Sequence, residues 1–226
     1  MSGRRESDGA ARDGAAGAGT GASRGAAPGG GAAGAGRLVV MSGPSGSGKT
    51  TIKRRLAAHP SIRVAVTVTT RPRRAGEAQD VDYHFVDRDA FLEMKAAGRF
   101  AETNDVFSNG HLYGSLRAEL EAALSEPGSV YLMEVDITGA ENLKRAGYDG
   151  VYVFIAPPGM DVLERRLRRR GTDDEAAIER RLARAREEMV RARDDGLTIV
   201  INESVDAAVA QVLRLIGLDE RAPQPS

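Results

Sequence analysis

One stretch, Gly43-Pro44-Ser45-Gly46-Ser47-Gly48-Lys49-Thr50, constrains this chain more than any other. It satisfies Gly-x-x-x-x-Gly-Lys-Ser/Thr at every fixed position. The apolar run Leu38-Val39-Val40-Met41 precedes it, and Thr51-Ile52-Lys53-Arg54-Arg55-Leu56 follows as a helix start. That is the strand–loop–helix setting in which a glycine-rich loop wraps phosphate. Glycines let N–H groups turn inward around phosphate oxygens, and the helix N-terminus adds the positive end of its dipole. In this arrangement Lys49 reaches the β- and γ-phosphates and the Thr50 hydroxyl ligates Mg²⁺. The loop implies a nucleoside triphosphate and leaves the reaction open.

What surrounds the loop narrows the class. Residues 1–36 are mostly Gly and Ala with scattered Ser, Arg and Asp, and carry no apolar period. Such a segment buries too little surface to offset its ordering entropy, so it is expected to be disordered. It has no apolar stretch of the kind a secretory signal needs. It is acid-poor and contains Arg, as transit peptides do, but lacks their amphipathic pattern. Residues 37–218 suffice for one domain with a full core, and 219–226 read as a flexible C-terminus. The absence of cysteine excludes disulfides, thiolate catalysis and Cys-zinc sites. A formal net charge of zero gives no global field toward nucleic acid or an anionic membrane. No apolar run is long enough to span a bilayer. These readings fit a cytoplasmic monomer or small homo-oligomer with no nucleic-acid or membrane partner.

Strand-like and helical patterns alternate. Leu38–Met41, Val64–Thr69, Val130–Val135, Val151–Ile155 and Thr198–Ile201 read as strands, several of them apolar throughout, as strands buried on both faces should be. Helices are expected at Thr51–Ala58, Asp89–Ala97, Ser115–Leu124, Thr138–Arg145, Met160–Arg169, Asp174–Arg193 and Val205–Leu218. The alternation predicts an α/β fold: a mainly parallel sheet covered by helices on both faces, with ligands at the carboxyl ends of the strands. The middle differs. Tyr83–Val86, Phe100–Thr103 and Leu112–Tyr113 are short pieces separated by turns such as Asn109-Gly110. Residues 67–115 therefore read as a small, partly antiparallel lobe able to close over a second substrate.

Other candidates are weaker alone. Arg71, Arg73 and Arg74 in a polar loop near Tyr83 could clamp a second phosphate, since a planar guanidinium binds two oxygens; a solvated basic loop is the plainer reading. Glu102 could accept two adjacent N–H groups such as guanine presents, or be a surface acid. Ser115 could donate a hydroxyl or cap the next helix. Asp136, ending the apolar run from Val130, could hold Mg²⁺ or its water, or cap the helix that follows. Arginines from Arg165 to Arg186 interleave with acids and lack aromatic neighbours, which describes an ion-paired solvated face. One or two of them, near the Arg170-Gly171-Thr172 break, could serve a phosphate. His59, His84 and His111 show no metal or triad spacing.

Taken together, the ordered motifs resemble guanylate kinases. They are the phosphate loop, Thr69-Thr70-Arg71-Pro72-Arg73-Arg74-Ala75-Gly76-Glu77, Asp82-Tyr83-His84-Phe85, Tyr113-Gly114-Ser115, Glu134-Val135-Asp136, the Arg166–Thr172 segment and Ile199-Val200-Ile201-Asn202. The resemblance covers residues 37–218 and implies a nucleoside monophosphate kinase-like fold with a GMP-binding lobe and a helical lid at about 166–181. It implies transfer of a phosphoryl group from MgATP to GMP. By motif, Gly43 to Thr50 and Asn202 would serve ATP. Thr67, Arg71, Arg74, Tyr83, Glu102, Tyr113, Ser115, Glu134 and Asp136 would serve GMP. Lys49, Arg71, Arg166, Arg170 and Arg181 would offset charge during transfer. Thr50, with Asp136 through water, would hold Mg²⁺.

The chain departs from the family pattern at Pro72-Arg73, at Thr67 for the usual Ser, at Glu134 for Asp, and at Thr138 for Gln. It also departs in a longer Glu102–Tyr113 segment in which Leu112 replaces a frequent Tyr. The departures leave two other readings open: a related kinase with a different phosphorylated acceptor, and a non-catalytic module of the same fold.

Overall fold

The computed structural model describes residues 35–106, 110–169, 171 and 173–218. A five-stranded parallel sheet has the order β2-β7-β1-β8-β9, built from β1 (Arg37–Ser42), β2 (Ile62–Val64), β7 (Val130–Glu134), β8 (Val151–Ala156) and β9 (Thr198–Ile201). Period-two alternation divides β1 between two cores. Leu38 and Val40 join Tyr131, Met133 and Phe154 on one face, beneath α3 (Arg117–Leu124) and α4 (Ile137–Arg145). Val39 and Met41 join Leu132, Val153 and Ile155 on the other, beneath α1 (Lys49–Leu56) and α7 (Val205–Leu215). Burial on both faces is why these strands read as unbroken apolar runs.

A second sheet, order β4-β3-β6-β5, forms the lobe from β3 (Thr67–Thr69), β4 (Tyr83–Phe85), β5 (Phe100–Val106) and β6 (His111–Leu116), with α2 (Arg88–Ala96) packed on it. β3 runs parallel to β4 and antiparallel to β6, and β5 runs antiparallel to β6. The lobe has its own small core of Val68, Phe91, Phe100 and Leu112, with the Phe91 and Phe100 rings stacked at 4.6 Å. Gly114 is required beneath that stack, because a Cβ there would lie 2.7 Å from the Phe100 ring. Helix α5 (Met160–Arg168) and helix α6 (Glu175–Asp194) pack on Leu163, Leu167, Ile178, Leu182 and Ala185.

Two expectations are corrected. Val64–Thr69 is two strands: β2 ends in the main sheet, where the Ala65 N–H still donates to the Leu132 carbonyl at 2.8 Å, and β3 begins in the lobe. A β-rich run does not reveal where a strand changes partners. Ser115 does not cap a helix. It lies within β6, and α3 starts at Arg117 after Leu116, without a side-chain cap. Asp136 does cap α4, accepting from the Gly139 N–H at 2.8 Å, and Asp174 caps α6 through the Ala177 N–H at 2.7 Å. Arg170, the 1–34 segment and 219–226 lie outside the described residues.

Candidate active site

The phosphate loop connects β1 to α1 across the carboxyl end of the parallel sheet. Gly48 sits at φ 99°, where an L side chain is strained, and a Cβ there would collide with the Asn202 amide. No acidic side chain occupies the first turn of α1, so its N–H groups face the cleft without a competing carboxylate. The loop is braced from behind. Asn202, only 3% exposed, donates its amide to the Ser47 carbonyl at 2.7 Å. Arg166 donates to the Ser47 and Asn202 carbonyls at 3.4 and 3.2 Å. Lys49 folds back onto the loop, donating to the Gly43 carbonyl and, at 3.0 Å, to that of Pro44. Arg181 reaches the loop from α6, donating to the Ser45 hydroxyl at 3.0 Å and pairing with Asp173 at 2.9 Å.

A cleft of about 1090 Å³ runs from this loop to the lobe. Gly43, Pro44, Ser45, Gly46, Gly48, Lys49 and Thr50 line one end. Thr67, Tyr83, Glu102 and Tyr113 line the other, and Glu134, Asp136 and Arg181 stand between. Arg71 lies just behind Tyr83, its guanidinium 5.2 Å from the ring centre, and donates to Glu77 at 2.8 Å. Burial opposes its charge, but hydrogen bonds to Glu77 and Tyr113 outweigh that and raise its pKa. Arg74 is exposed, and its backbone N–H donates to Glu77 at 2.8 Å. Asn202 and Arg166 brace the loop from behind at the Ser47 carbonyl, and Ser115 stands beside Glu102 at the lobe end.

Glu102 is the most perturbed acid here. It is 7% exposed, and burial pushes its carboxyl up to about 7. The Ser115 hydroxyl donates to it at 2.7 Å, which opposes the rise without cancelling it. A β-bulge explains its aim. Phe100 pairs with Leu116 and Glu102 with Ser115, so one extra residue, Ala101, lets Phe100 face the lobe core and Glu102 face the cleft.

The acids between the two ends are partnered. Glu134 pairs with Lys53 at 2.7 Å. Asp136 accepts from Asn104 on β5 and stands 3.9 Å from the Arg184 guanidinium. Among the described residues no three His, Cys, Asp or Glu side chains cluster tightly enough to hold a metal by themselves. Mg²⁺ is held by one or two protein oxygens and completed by phosphate and water. Thr50 and Asp136 offer such a sparse set.

Sequence reasoning missed Asn104, Arg180, Arg184 and Arg191, all of which line the cleft. For three of them a signal existed: Arg180, Arg184 and Arg191 recur at helical spacing, so the charge run on α6 is in part a cleft wall. Arg191 pairs with Glu141 and donates to the Thr138 hydroxyl at 3.0 Å, tying α6 to α4.

Comparison with known proteins agrees with this architecture. The family model described as guanylate kinase matches residues 35–218. A guanylate kinase of Synechococcus sp. (strain CC9902) is 45% identical over 178 residues, covering 78% of this chain and 93% of that protein. One from Zymomonas mobilis is 44% identical over 187 residues, covering 81% and 84% respectively. The crystal structure of guanylate kinase from Anaplasma phagocytophilum aligns with a TM-score of 0.65 at 28% identity, covering 84% of this chain and 88% of that one. The chain therefore belongs to the guanylate kinase family.

Proposed function

We propose that this protein transfers the γ-phosphoryl group of MgATP to GMP, giving ADP and GDP, within the single cleft between the phosphate loop and the lobe. The observation that carries this reading is the pairing, across one continuous cavity, of a complete phosphate loop with a buried carboxylate, Glu102, backed by a hydroxyl. Guanine presents N1–H and an amine where a carboxylate can accept both. Adenine presents an acceptor at the same place and would leave Glu102 unpaired.

A GMP phosphate oxygen attacks the γ-phosphorus in line. The new P–O bond forms as the bond to the ADP oxygen breaks, so no enzyme nucleophile is needed. The chain's task is positioning and charge neutralisation. Lys49 leaves the loop carbonyls for the phosphate oxygens. Arg181, already touching the loop through Ser45, offsets charge on the transferring group, a role the motif also gives Arg170. Arg71 and Arg74, with Tyr83 and Tyr113, hold the attacking phosphate, while Thr67 and Ser115 supply hydroxyls at the base. Arg166 and Asn202 hold the Ser47 carbonyl, and with it the loop, in shape at the ATP end, where Arg166 also adds its charge. Thr50, with Asp136 through water, would hold Mg²⁺, which screens the phosphate charge when bound. Glu134, tied to Lys53, edges the same gap. No helix among the described residues is long and apolar enough to cross a membrane.

The test is ADP release from MgATP with GMP, AMP or no acceptor. Turnover with GMP far above AMP is expected. Equal rates with and without acceptor would contradict the proposal.

A further inference from the structure

Asn104 occupies a place in the cleft that the motifs do not explain. It follows Glu102 by two residues on β5, so the two side chains leave the same face of the strand, and both line the cleft. Strand pairing arranges this wall in rows. β3 and β6 pair Val68 with Gly114 and Thr69 with Tyr113, which sets Thr67 opposite Ser115 one step further along. β6 and β5 pair Ser115 with Glu102 and Tyr113 with Asn104. One row is thus Thr67, Ser115 and Glu102, the hydroxyls and carboxylate assigned to the base. The next holds Tyr113, assigned to the phosphate, beside Asn104. On this arrangement Asn104 stands on the sugar side of the base.

Its amide is oriented. The nitrogen donates to an Asp136 oxygen, and a carboxylate can only accept, so the Asn104 carbonyl oxygen turns away from Asp136. Asp136 accepts the Gly139 N–H on one oxygen and the Asn104 amide on the other. Guanine offers three hydrogens along this edge. Glu102 can take N1–H and the inner hydrogen of the 2-amino group, with Ser115 on a remaining lone pair. The outer amino hydrogen points past Glu102 toward the sugar side, where Asn104 stands.

We propose that Asn104 is a specificity-determining residue whose carbonyl oxygen accepts the outer hydrogen of the guanine 2-amino group. It thereby separates GMP from purine monophosphates lacking that amine. The inference rests on the reading of Glu102 as the acceptor for the guanine edge.

The experiment measures kcat/KM with GMP, IMP and 2′-deoxy-GMP for the unmodified protein, Asn104→Ala and Asn104→Ser, and with GMP and AMP for Glu102→Gln. IMP keeps N1–H and the 6-oxo group but lacks the amine. Deoxy-GMP lacks the 2′-hydroxyl, the other sugar-side group the carbonyl could reach. Ratios within one variant are independent of its folded fraction. Asn104→Ala is expected to lower the GMP:IMP ratio about five- to tenfold, as for one uncharged hydrogen bond, and to leave GMP:deoxy-GMP unchanged. Asn104→Ser should fall between. An unchanged GMP:IMP ratio, or a shift confined to GMP:deoxy-GMP, overturns the proposal. If Glu102→Gln keeps the original GMP:AMP ratio, the base assignment fails and Asn104 with it. If that ratio collapses while Asn104→Ala leaves GMP:IMP intact, only the Asn104 inference falls.

Discussion

The two ends of the cleft are stabilised in opposite ways. The phosphate-loop end is finished before ligand arrives: Asn202 and Arg166 fix the Ser47 carbonyl, Gly48 supplies the left-handed backbone, and Arg181 already touches Ser45. The lobe end differs: Glu102 is buried against Ser115, and burial outweighs the hydrogen bonds from that residue and pushes the carboxyl up to about 7. A preformed phosphate cradle binds any triphosphate tail. On the proposed function, guanine's donors stabilise the buried acid as an anion, and its unfavourable burial in their absence selects the base. Substitutions at the first end should therefore reduce turnover with every acceptor, and substitutions at the second should change which acceptor is used.

Lys49→Ala gives the largest expected effect. Turnover with GMP should fall about 10³-fold or more, with the thermal melting temperature nearly unchanged, because the group acts on charge developing during transfer. Retention of near-normal kcat would break the account of the loop. Glu102→Gln comes next. The GMP:AMP ratio of kcat/KM should drop about 10²-fold, since the acceptor pair for N1–H and the amine is lost while the phosphate cradle stays intact. A fall in kcat with the ratio preserved would make Glu102 a structural residue.

The third prediction sets pH against stability. The Glu102 carboxyl is raised from an ordinary 4.5 to about 7 in the folded chain. Between those values the unfolded chain gives up its proton and the folded chain keeps it. This group's contribution therefore makes folding less favourable as pH rises from 4.5 to 7, by on the order of 3 kcal/mol, and is flat above. Glu102→Gln should remove that slope, so its gain over the unmodified protein in chemical denaturation should be larger at pH 8 than at pH 5. An equal difference at both pH values would contradict the burial argument.

The smallest effect belongs to the α4–α6 strap. The Arg191 hydrogen bond holds the Glu141 carboxyl below the usual range, so its stabilisation is present above the ordinary carboxylate pKa and is lost as pH falls below it. Arg191 is 42% exposed, so Glu141→Gln should cost no more than about 1 kcal/mol. It should raise KM for both nucleotides modestly without altering base preference. A changed GMP:AMP ratio would show that the strap shapes the base pocket as well.

The same division explains what could be read without coordinates. The loop was legible because its chemistry is contiguous and its strand and helix flank it directly. The parallel sheet was legible because burial on both faces leaves unbroken apolar runs at Val130–Val135 and Val151–Ile155. The lobe was only partly so. Its strands β5 and β6 extend beyond the strand-like pieces Phe100–Thr103 and Leu112–Tyr113, since backbone pairing carries polar residues such as Asn104 into the ladder. The bulge at Ala101, which turns Glu102 into the cleft, follows from pairing with β6 and leaves no local mark. Arg180 and Arg184 were grouped with a solvated face because charge alternation alone does not show which side of α6 meets the cleft.

The central claim is that guanine supplies the donors that turn a buried acid, disfavoured as an anion in the free protein, into a stable carboxylate. Calorimetric titration of GMP into the protein at pH 7, in two buffers of different ionisation enthalpy, measures the protons exchanged on binding. Subtracting the same titration of Glu102→Gln removes the contribution of the nucleotide phosphate and its arginines. The account predicts that the unmodified protein releases about half a proton more than the variant as Glu102 becomes an anion paired with guanine. Equal proton exchange in both, or net uptake, would contradict it.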